Sequence, residues 1–343
     1  MSDRARSLLR LALPSKGELE APTLAFLASC GLEVFRPNER QYLASIPSVP
    51  SVVVLFQRAA DILAKVDEGT VDLGITGYDI VRERGDGHDN VVIAYENLGY
   101  GGCELVLAIP ESWLDVSTIG DLAELTVLYK EKGRELRIAT KYPNLTRKWL
   151  YEKGIVHFSL VEAQGALEAA PNMGYADLIA DLTTSGTTLR ENRLKRIQAG
   201  TILESQACLV GNKRLLGGDE GKLNSVRLIL ELIEGRLRAK KFVSITANIQ
   251  GASPEAVSRS LMAERALVGL RGPSLARVYS KVWGEDDWYA VTVVVEKGVL
   301  LQVVDHLRRS GGTDITISAP DYVFQERSWH FEGFVERLKR DRL

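Results

Sequence analysis

The chain has 343 residues, enough for two or three domains with separate cores. Apolar residues make up 45% and charged ones 26%, an ordinary globular balance, and a net charge of −2 speaks against a broad basic surface for nucleic acid. The cysteines (Cys30, Cys103, Cys208) are too scattered for a disulfide framework or a zinc site, and the apolar run 8–13, broken by Arg10, is too short to export or span. The expectation is a cytoplasmic protein with no nucleic-acid and no membrane partner.

Strand-like and helix-like segments alternate through the first half. Residues 8–14 read as a strand, Ser15-Lys16-Gly17 as a turn, and 18–29 as a helix with Leu24, Leu27 and Ala28 on its apolar stripe. Residues 51–56 lead into a helix over 59–68, and 71–77 form another buried strand ending in a small-residue turn. Uniformly apolar strands in such an order imply a parallel sheet covered on both faces. Residues 104–109 and 136–140 supply further strands, 144–153 a helix, and 176–182 a strand. Residues 205–212 read as a strand that crosses back to the first lobe, which gives two open sheets and a hinged cleft. The helical spacing of Val226, Ile229, Leu230, Ile233 and Leu237 predicts a long helix over 222–237.

Beyond it the texture changes. Strands over 242–249, 274–282, 288–295 and 314–318, with helices over 254–262 and 300–309, follow the order βαββαβ of a ferredoxin-like domain. Phe331, Phe334, Val335 and Leu338 then sit at helical spacing. No long internal repeat is evident. The organisation expected is therefore 1–103 with 193–237 as a first lobe, 104–192 as a second, 238–320 as the ferredoxin-like domain, and 321–343 as a helical tail.

The most informative stretch is Asp181-Leu182-Thr183-Thr184-Ser185-Gly186-Thr187-Thr188-Leu189. A buried strand ends in an acid, passes through a hydroxyl-rich turn around one glycine, and enters a helix over 189–194. Backbone amides at such a turn converge on one spot and favour an anion, Gly186 permits close approach, and the hydroxyls add donors. An N-cap with a Ser/Thr-rich turn is the purely structural alternative. Carboxylates nearby, Glu168, Asp177 and Asp181, suit ribose hydroxyls or Mg²⁺; Asp177 reads more simply as a solvated loop acid.

Glu168, Gly174, Ala176, Ile179, Asp181, Leu182, Ser185, Gly186, Thr188 and Leu189 together resemble the signature of the ATP phosphoribosyltransferase family. Further pieces similar to the family follow its order: Leu13-Pro14-Ser15-Lys16-Gly17, Phe56-Gln57-Arg58-Ala59-Ala60-Asp61-Ile62, Val71-Asp72-Leu73-Gly74-Ile75-Thr76-Gly77-Tyr78-Asp79, Leu98-Gly99-Tyr100-Gly101-Gly102-Cys103, Arg137-Ile138-Ala139-Thr140-Lys141-Tyr142-Pro143-Asn144 and Leu203-Glu204-Ser205-Gln206-Ala207. The resemblance covers about 10–215. Residues 270–274 and 288–291 resemble the regulatory module of the family's long form.

The fold this resemblance implies is α/β: two periplasmic-binding-protein-like lobes with a cleft, plus a C-terminal ferredoxin-like regulatory domain. The activity it implies is transfer of a phosphoribosyl group from phosphoribosyl pyrophosphate to N1 of ATP, releasing pyrophosphate, in the first step of histidine biosynthesis. By the same resemblance the 5-phosphate falls to Thr184, Ser185, Gly186, Thr187 and Thr188, and the ribose hydroxyls or Mg²⁺ to Asp181 and Glu168. Lys16 and Arg58 take polyphosphate, with Asp72, Thr76, Tyr100 and Lys141 as further substrate contacts. Helix capping competes for Asp79, and a plain turn for Tyr100-Gly101-Gly102. The family also implies Mg²⁺ as cofactor, histidine as allosteric inhibitor, and a homo-oligomer between dimer and hexamer. One departure stands out: the family often has arginine after Lys16-Gly17, where this chain has Glu18.

Overall fold

The computed structural model describes residues 8–38, 41–85, 87–163, 165–262, 269–270, 272–279 and 287–340. By contact the chain divides into two units, residues 1–228 with 330–343 and residues 229–329.

The first unit opens with β1 (Leu9–Pro14), helix α1 (Glu20–Ser29), the short β2 (Leu43–Ser45), β3 (Val52–Gln57), α2 (Ala59–Asp67), β4 (Leu73–Gly77), α3 (Tyr78–Arg84) and β5 (Val91–Tyr95). The buried face of α1 is Thr23, Phe26 and Leu27, whereas Ala28 of the expected stripe is exposed. The chain then crosses into β6 (Cys103–Pro110), α4 (Ile119–Glu131), β7 (Leu136–Thr140), α5 (Pro143–Glu152), β8 (Phe158–Glu162), β9 (Leu178–Thr183), α6 (Thr187–Glu191) and β10 (Leu194–Ser205). It returns as β11 (Ala207–Asn212), followed by α7 (Lys213–Gly217) and the long α8 (Glu220–Ala239).

Two sheets result, in the orders β2-β3-β1-β4-β11-β5 and β10-β6-β9-β7-β8. The pairs β1–β3, β1–β4, β7–β8 and β7–β9 are parallel, but β11 runs antiparallel to β4 and β5, and β6 antiparallel to β9 and β10. The expected all-parallel sheets are therefore mixed ones, because each crossing strand enters its new sheet from the opposite direction. Residues 194–205 pair in the second sheet, not with the first lobe to which the sequence reading gave them. The crossings are tied to each other: Ala207 N donates to the Tyr100 carbonyl and Leu98 N to the Ala207 carbonyl, both at 3.0 Å.

Each sheet is pinned at the amino-terminal end of its strands by the same device. Arg10, on β1, donates from N, Nε and Nη2 to the carboxylate of Asp72 at 2.8–3.0 Å, and from Nη2 to the Gly69 carbonyl. Arg137, on β7, does the same to Asp177 and to the Gly174 carbonyl. Gly69-Thr70-Val71-Asp72-Leu73 and Gly174-Tyr175-Ala176-Asp177-Leu178 are thus equivalent, a repeat too short to announce itself in sequence. Asp177 is accordingly an ion-paired anchor and not a solvated acid.

The second unit holds β12 (Phe242–Gln250), α9 (Pro254–Leu261), β13 (Ser274–Val278), β14 (Trp288–Glu296), α10 (Leu300–Arg309) and β15 (Thr313–Ser318) in a sheet of order β13-β14-β12-β15. This is the ferredoxin-like arrangement. Burial alternates along β12 and β14, so Ile245, Ala247, Val291 and Val293 meet Val257, Leu261, Val303 and Leu307 of the two helices in one core. Ser253 caps α9 by accepting from Ala256 N, ahead of proline at the first helical position. The expected extension of β13 to residue 282, and Arg271, lie outside the described residues. The terminal helix α11 (Trp329–Arg340) buries Phe334 and Leu338.

Candidate active site

In open α/β sheets, ligands lie in the crevice beyond the carboxyl ends of the strands. Lys16 and Arg58 stand exposed just past the carboxyl ends of the paired strands β1 and β3, where Ser15 N donates to the Gln57 carbonyl at 2.7 Å. Arg58 occupies the N-cap position of α2, with extended backbone that leaves its side chain outside the helix. Glu18, exposed nearby, is one of the charges that help push the Cys103 thiol up to about 11, after burial and Asp79.

On the second lobe, β9 delivers Asp181 three residues before Thr184. Gly186 caps the following helix at φ +72°, a left-handed conformation that favours glycine, with open space where a side chain would start. That helix is Thr187–Glu191, a single turn beginning two residues earlier than expected, so hydroxyls and loop amides matter more here than a helix dipole. Several groups of the loop are already engaged. Gly186 N donates to Thr183 Oγ1 at 2.9 Å, and Ser185 and Thr187 share a hydroxyl hydrogen bond at 2.9 Å. Thr184, Ser185, Thr187 and Thr188 are exposed.

Burial pushes the Asp181 carboxyl above the usual carboxylate range; the Leu182 amide and the charge of Lys141 pull it down, and Glu168 pushes it up. Asp181, Lys141 and Glu168 therefore share one electrostatic neighbourhood. Glu168 is placed by a short 3-10 turn, Leu167–Ala169, and Lys141 by the carboxyl end of β7. Thr184 and Tyr100 line one cavity of about 500 Å³, together with Cys103, Glu104, Ser205 and Gln206. The larger hollow of about 1180 Å³ lies elsewhere, around Val91, Arg147 and Arg337, and includes none of the cradle residues. The Tyr100 hydroxyl is held by Thr23 at 2.9 Å while its ring packs on Phe26 with centroids 4.9 Å apart. Gly101 beside it has φ +68°, and a side chain there would strike Leu19 at 2.6 Å.

Two of the expected contact residues are engaged within the fold. Asp72 is fully buried at the opposite end of its strand, paired with Arg10 and with Lys222 Nζ at 2.9 Å. Burial alone would raise its pKa, but the hydrogen bonds of Arg10 and Lys222 and the charge of Arg10 hold it below the ordinary range. It anchors the fold through these pairs. Thr76 is at the correct end of β4, yet it is fully buried and its hydroxyl donates to the Ala59 carbonyl at 2.8 Å. Conversely, Glu83 drew no attention in the sequence although it is buried and bonded to the second lobe; an acid in a short surface-like helix gives no periodic signal.

Exposed cations past the strand ends of one lobe, and acids with a hydroxyl-rich loop on the other, are features common to enzymes that hold phosphorylated ligands by orientation and charge. Residues 58–235 match the family described as ATP phosphoribosyltransferase, and residues 239–319 the one described as HisG, C-terminal domain. The chain is 42% identical over 337 residues to ATP phosphoribosyltransferase 2, chloroplastic, of Arabidopsis thaliana, which spans 97% of this chain and 81% of that protein. It is 36% identical over 333 residues to ATP phosphoribosyltransferase of Caulobacter vibrioides, spanning 96% and 97%. Among solved structures, the ATP phosphoribosyl transferase (HisG:HisZ) complex from Thermotoga maritima aligns with a TM-score of 0.50 at 27% identity, over 66% of this chain and 99% of that one. The chain belongs to the ATP phosphoribosyltransferase family. Its reaction moves a phosphoribosyl group from phosphoribosyl pyrophosphate to N1 of ATP with release of pyrophosphate, the first step of histidine biosynthesis.

Proposed function

We propose that phosphoribosyl pyrophosphate lies with its 5-phosphate on the loop Thr184, Ser185, Gly186, Thr187 and Thr188 and its ribose hydroxyls on Asp181 and Glu168. The observation that carries this reading is the shared neighbourhood of Asp181, Glu168 and Lys141 beside that loop. Departure of pyrophosphate leaves oxocarbenium character on the sugar, so the protein's task is to hold, align and neutralise. Alignment alone can contribute roughly 7–11 kcal/mol. Carboxylates at Asp181 and Glu168 accept from the ribose hydroxyls and face the developing positive charge. Lys16 and Arg58 supply positive charge for the polyphosphate groups, with Arg58 offering a bidentate fork. Tyr100 and Lys141 flank the approach of the adenine ring.

Among the described residues no three His, Cys, Asp or Glu side chains gather into a metal cage. Mg²⁺ needs none, since one or two carboxylates plus substrate phosphates commonly hold it, and Asp181 with Glu168 form such a pair. The ion supplies charge neutralisation on the leaving pyrophosphate. Crystals soaked with phosphoribosyl pyrophosphate and Mg²⁺ test the placement; a donor found away from Gly186 with the loop empty refutes it.

The ferredoxin-like domain is the seat of histidine feedback in this reading, and its sheet, with Ile317 half exposed on β15, serves assembly into a homo-oligomer between dimer and hexamer. Titrating the full chain with histidine while following turnover and sedimentation tests both, and an enzyme indifferent to histidine removes the regulatory assignment. Among the described residues no helix is long and apolar enough to cross a membrane, and Cys30, Cys103 and Cys208 are free thiols, which fits residence in the cytoplasm.

A further inference from the structure

Two buried carboxylates lie one turn apart on α3, Asp79 at 5% exposure and Glu83 at 8%. Acids so buried are rare unless something engages them, and their partners here belong to the other lobe. Asn144 N donates to Glu83 Oε1 at 2.9 Å and Leu145 N to Glu83 Oε2 at 3.0 Å, while Asn144 Nδ2 reaches the Glu83 carbonyl at 3.1 Å. The Tyr142 hydroxyl donates to Asp79 Oδ2 at 2.8 Å. Ser205, at the return crossing, donates to Asp79 Oδ1 at 2.7 Å and accepts from Asp79 N at 2.9 Å.

We infer that Glu83 and Asp79 are positioning residues, a latch from the first lobe that grips residues 142–145 of the second and sets Lys141 and Asp181 against the opposing cations. The inference rests on the placement of substrates proposed above. Its chemistry is specific. The amides of Asn144 and Leu145 are first-turn donors of α5 with no partner inside their own helix. A carboxylate from across the cleft satisfies both and answers the positive end of that helix. Tyr142 is the N-cap residue of α5 and directly follows Lys141, so a shift of this segment moves a charge that faces Asp181.

Glu83 is not an ordinary stabilising group. Burial pushes its carboxyl up, and the Leu145 and Asn144 amides with the charges of Arg84 and Arg147 offset this only in part. A folded pKa above the unfolded one means that the folded state favours the protonated form. The favourable contribution is then present at low pH and lost as pH rises through the folded value. At neutral pH the group therefore contributes less stability than it does in acid, and its carboxylate is retained where it holds the two lobes in register.

Glu83→Gln is the discriminating change, because glutamine keeps one acceptor oxygen but turns an NH₂ group toward the second amide. In the full chain, kcat should fall roughly 10- to 100-fold, the range expected for a small misplacement remote from the chemistry. KM for both substrates should change less than kcat, exchange of the Asn144 and Leu145 amides with deuterium should accelerate, and kcat should stay low at temperatures well below the melting point, where the variant is fully folded. Tyr142→Phe, which removes only a hydroxyl, should lower kcat in the same sense and decides by the same criteria if Glu83→Gln does not fold. Parental kcat despite lost amide protection overturns the inference, as does a kcat loss that merely tracks a lower melting temperature. Asp181→Ala, run beside them, separates the two readings: unchanged turnover there condemns the substrate placement and not the latch.

Discussion

Replacing Asp72 by asparagine asks whether this residue holds the fold or the substrate. Its carboxylate accepts from Arg10 N, Nε and Nη2 and from Lys222 Nζ, all within 3.0 Å, and its side chain is wholly buried. Arginine and lysine only donate, so an asparagine NH₂ must face a cation. Arg10 is 30% exposed and can recruit water, but Lys222 at 8% cannot. Breaking one side of a buried pair costs about 3–5 kcal/mol. For a domain of roughly this size each kcal/mol moves the melting temperature by about 2–4 °C, so a loss on the order of 6–20 °C is expected. The sign with pH follows from the depressed pKa of Asp72. Its contribution is present above the unfolded value near pH ~3.9 and disappears as pH falls through the lower folded value, so the deficit is full at pH 7 and shrinks in acid. Thermal unfolding across pH, with turnover measured on the fraction that remains folded, provides the assay. A variant that melts within about 2 °C of the parent yet shows a raised substrate KM refutes the reasoning and returns Asp72 to the substrate.

Asp181→Asn should lower kcat/KM by about 10- to 150-fold, the equivalent of about 1.5–3 kcal/mol for hydrogen bonds to a charged group. The parent should lose turnover as pH falls through the raised pKa of Asp181, since only the carboxylate accepts both hydroxyls; a pH–rate profile of the variant should lack that limb. Gly186→Ala introduces no collision, only left-handed backbone strain of about 1–2 kcal/mol, and should show up as a higher KM for phosphoribosyl pyrophosphate in initial-rate kinetics. Gly74→Ala should destabilise by about 1–3 kcal/mol in urea melts, because its methyl would overlap Ile62 Cγ2 where α2 seals β4.

Much of the architecture was legible because its signals are local. Apolar runs gave β1, β3, β7 and β11, and the proline after Ser253 and the βαββαβ order gave the second unit. Less was legible where pairing decides. Residues 194–205 alternate weakly, contain bulges and place Ala199 at φ +56°, so their strand character comes from β6 and not from pattern. The helix Ile119–Glu131 was missed although Thr118 and Asp121 complete a capping box around its first turn. For the site, motif order singled out Lys16, Arg58, Asp181 and the 184–188 loop as candidates, but it could not distinguish an acid left accessible from one turned inward. Asp72 and Thr76 differ from Asp181 only in which partners the tertiary fold brings to them.

The Arg10–Asp72 and Arg137–Asp177 pins sit at the feet of their sheets, at the opposite ends of the strands from Lys16, Arg58 and the 184–188 loop. Each half of the catalytic unit is stiff at its base and leaves adjustment to its tip. A swing about the bonded strands at Tyr100 and Ala207 would accordingly break the Glu83 and Asp79 bonds to residues 142–145 before it deformed either sheet.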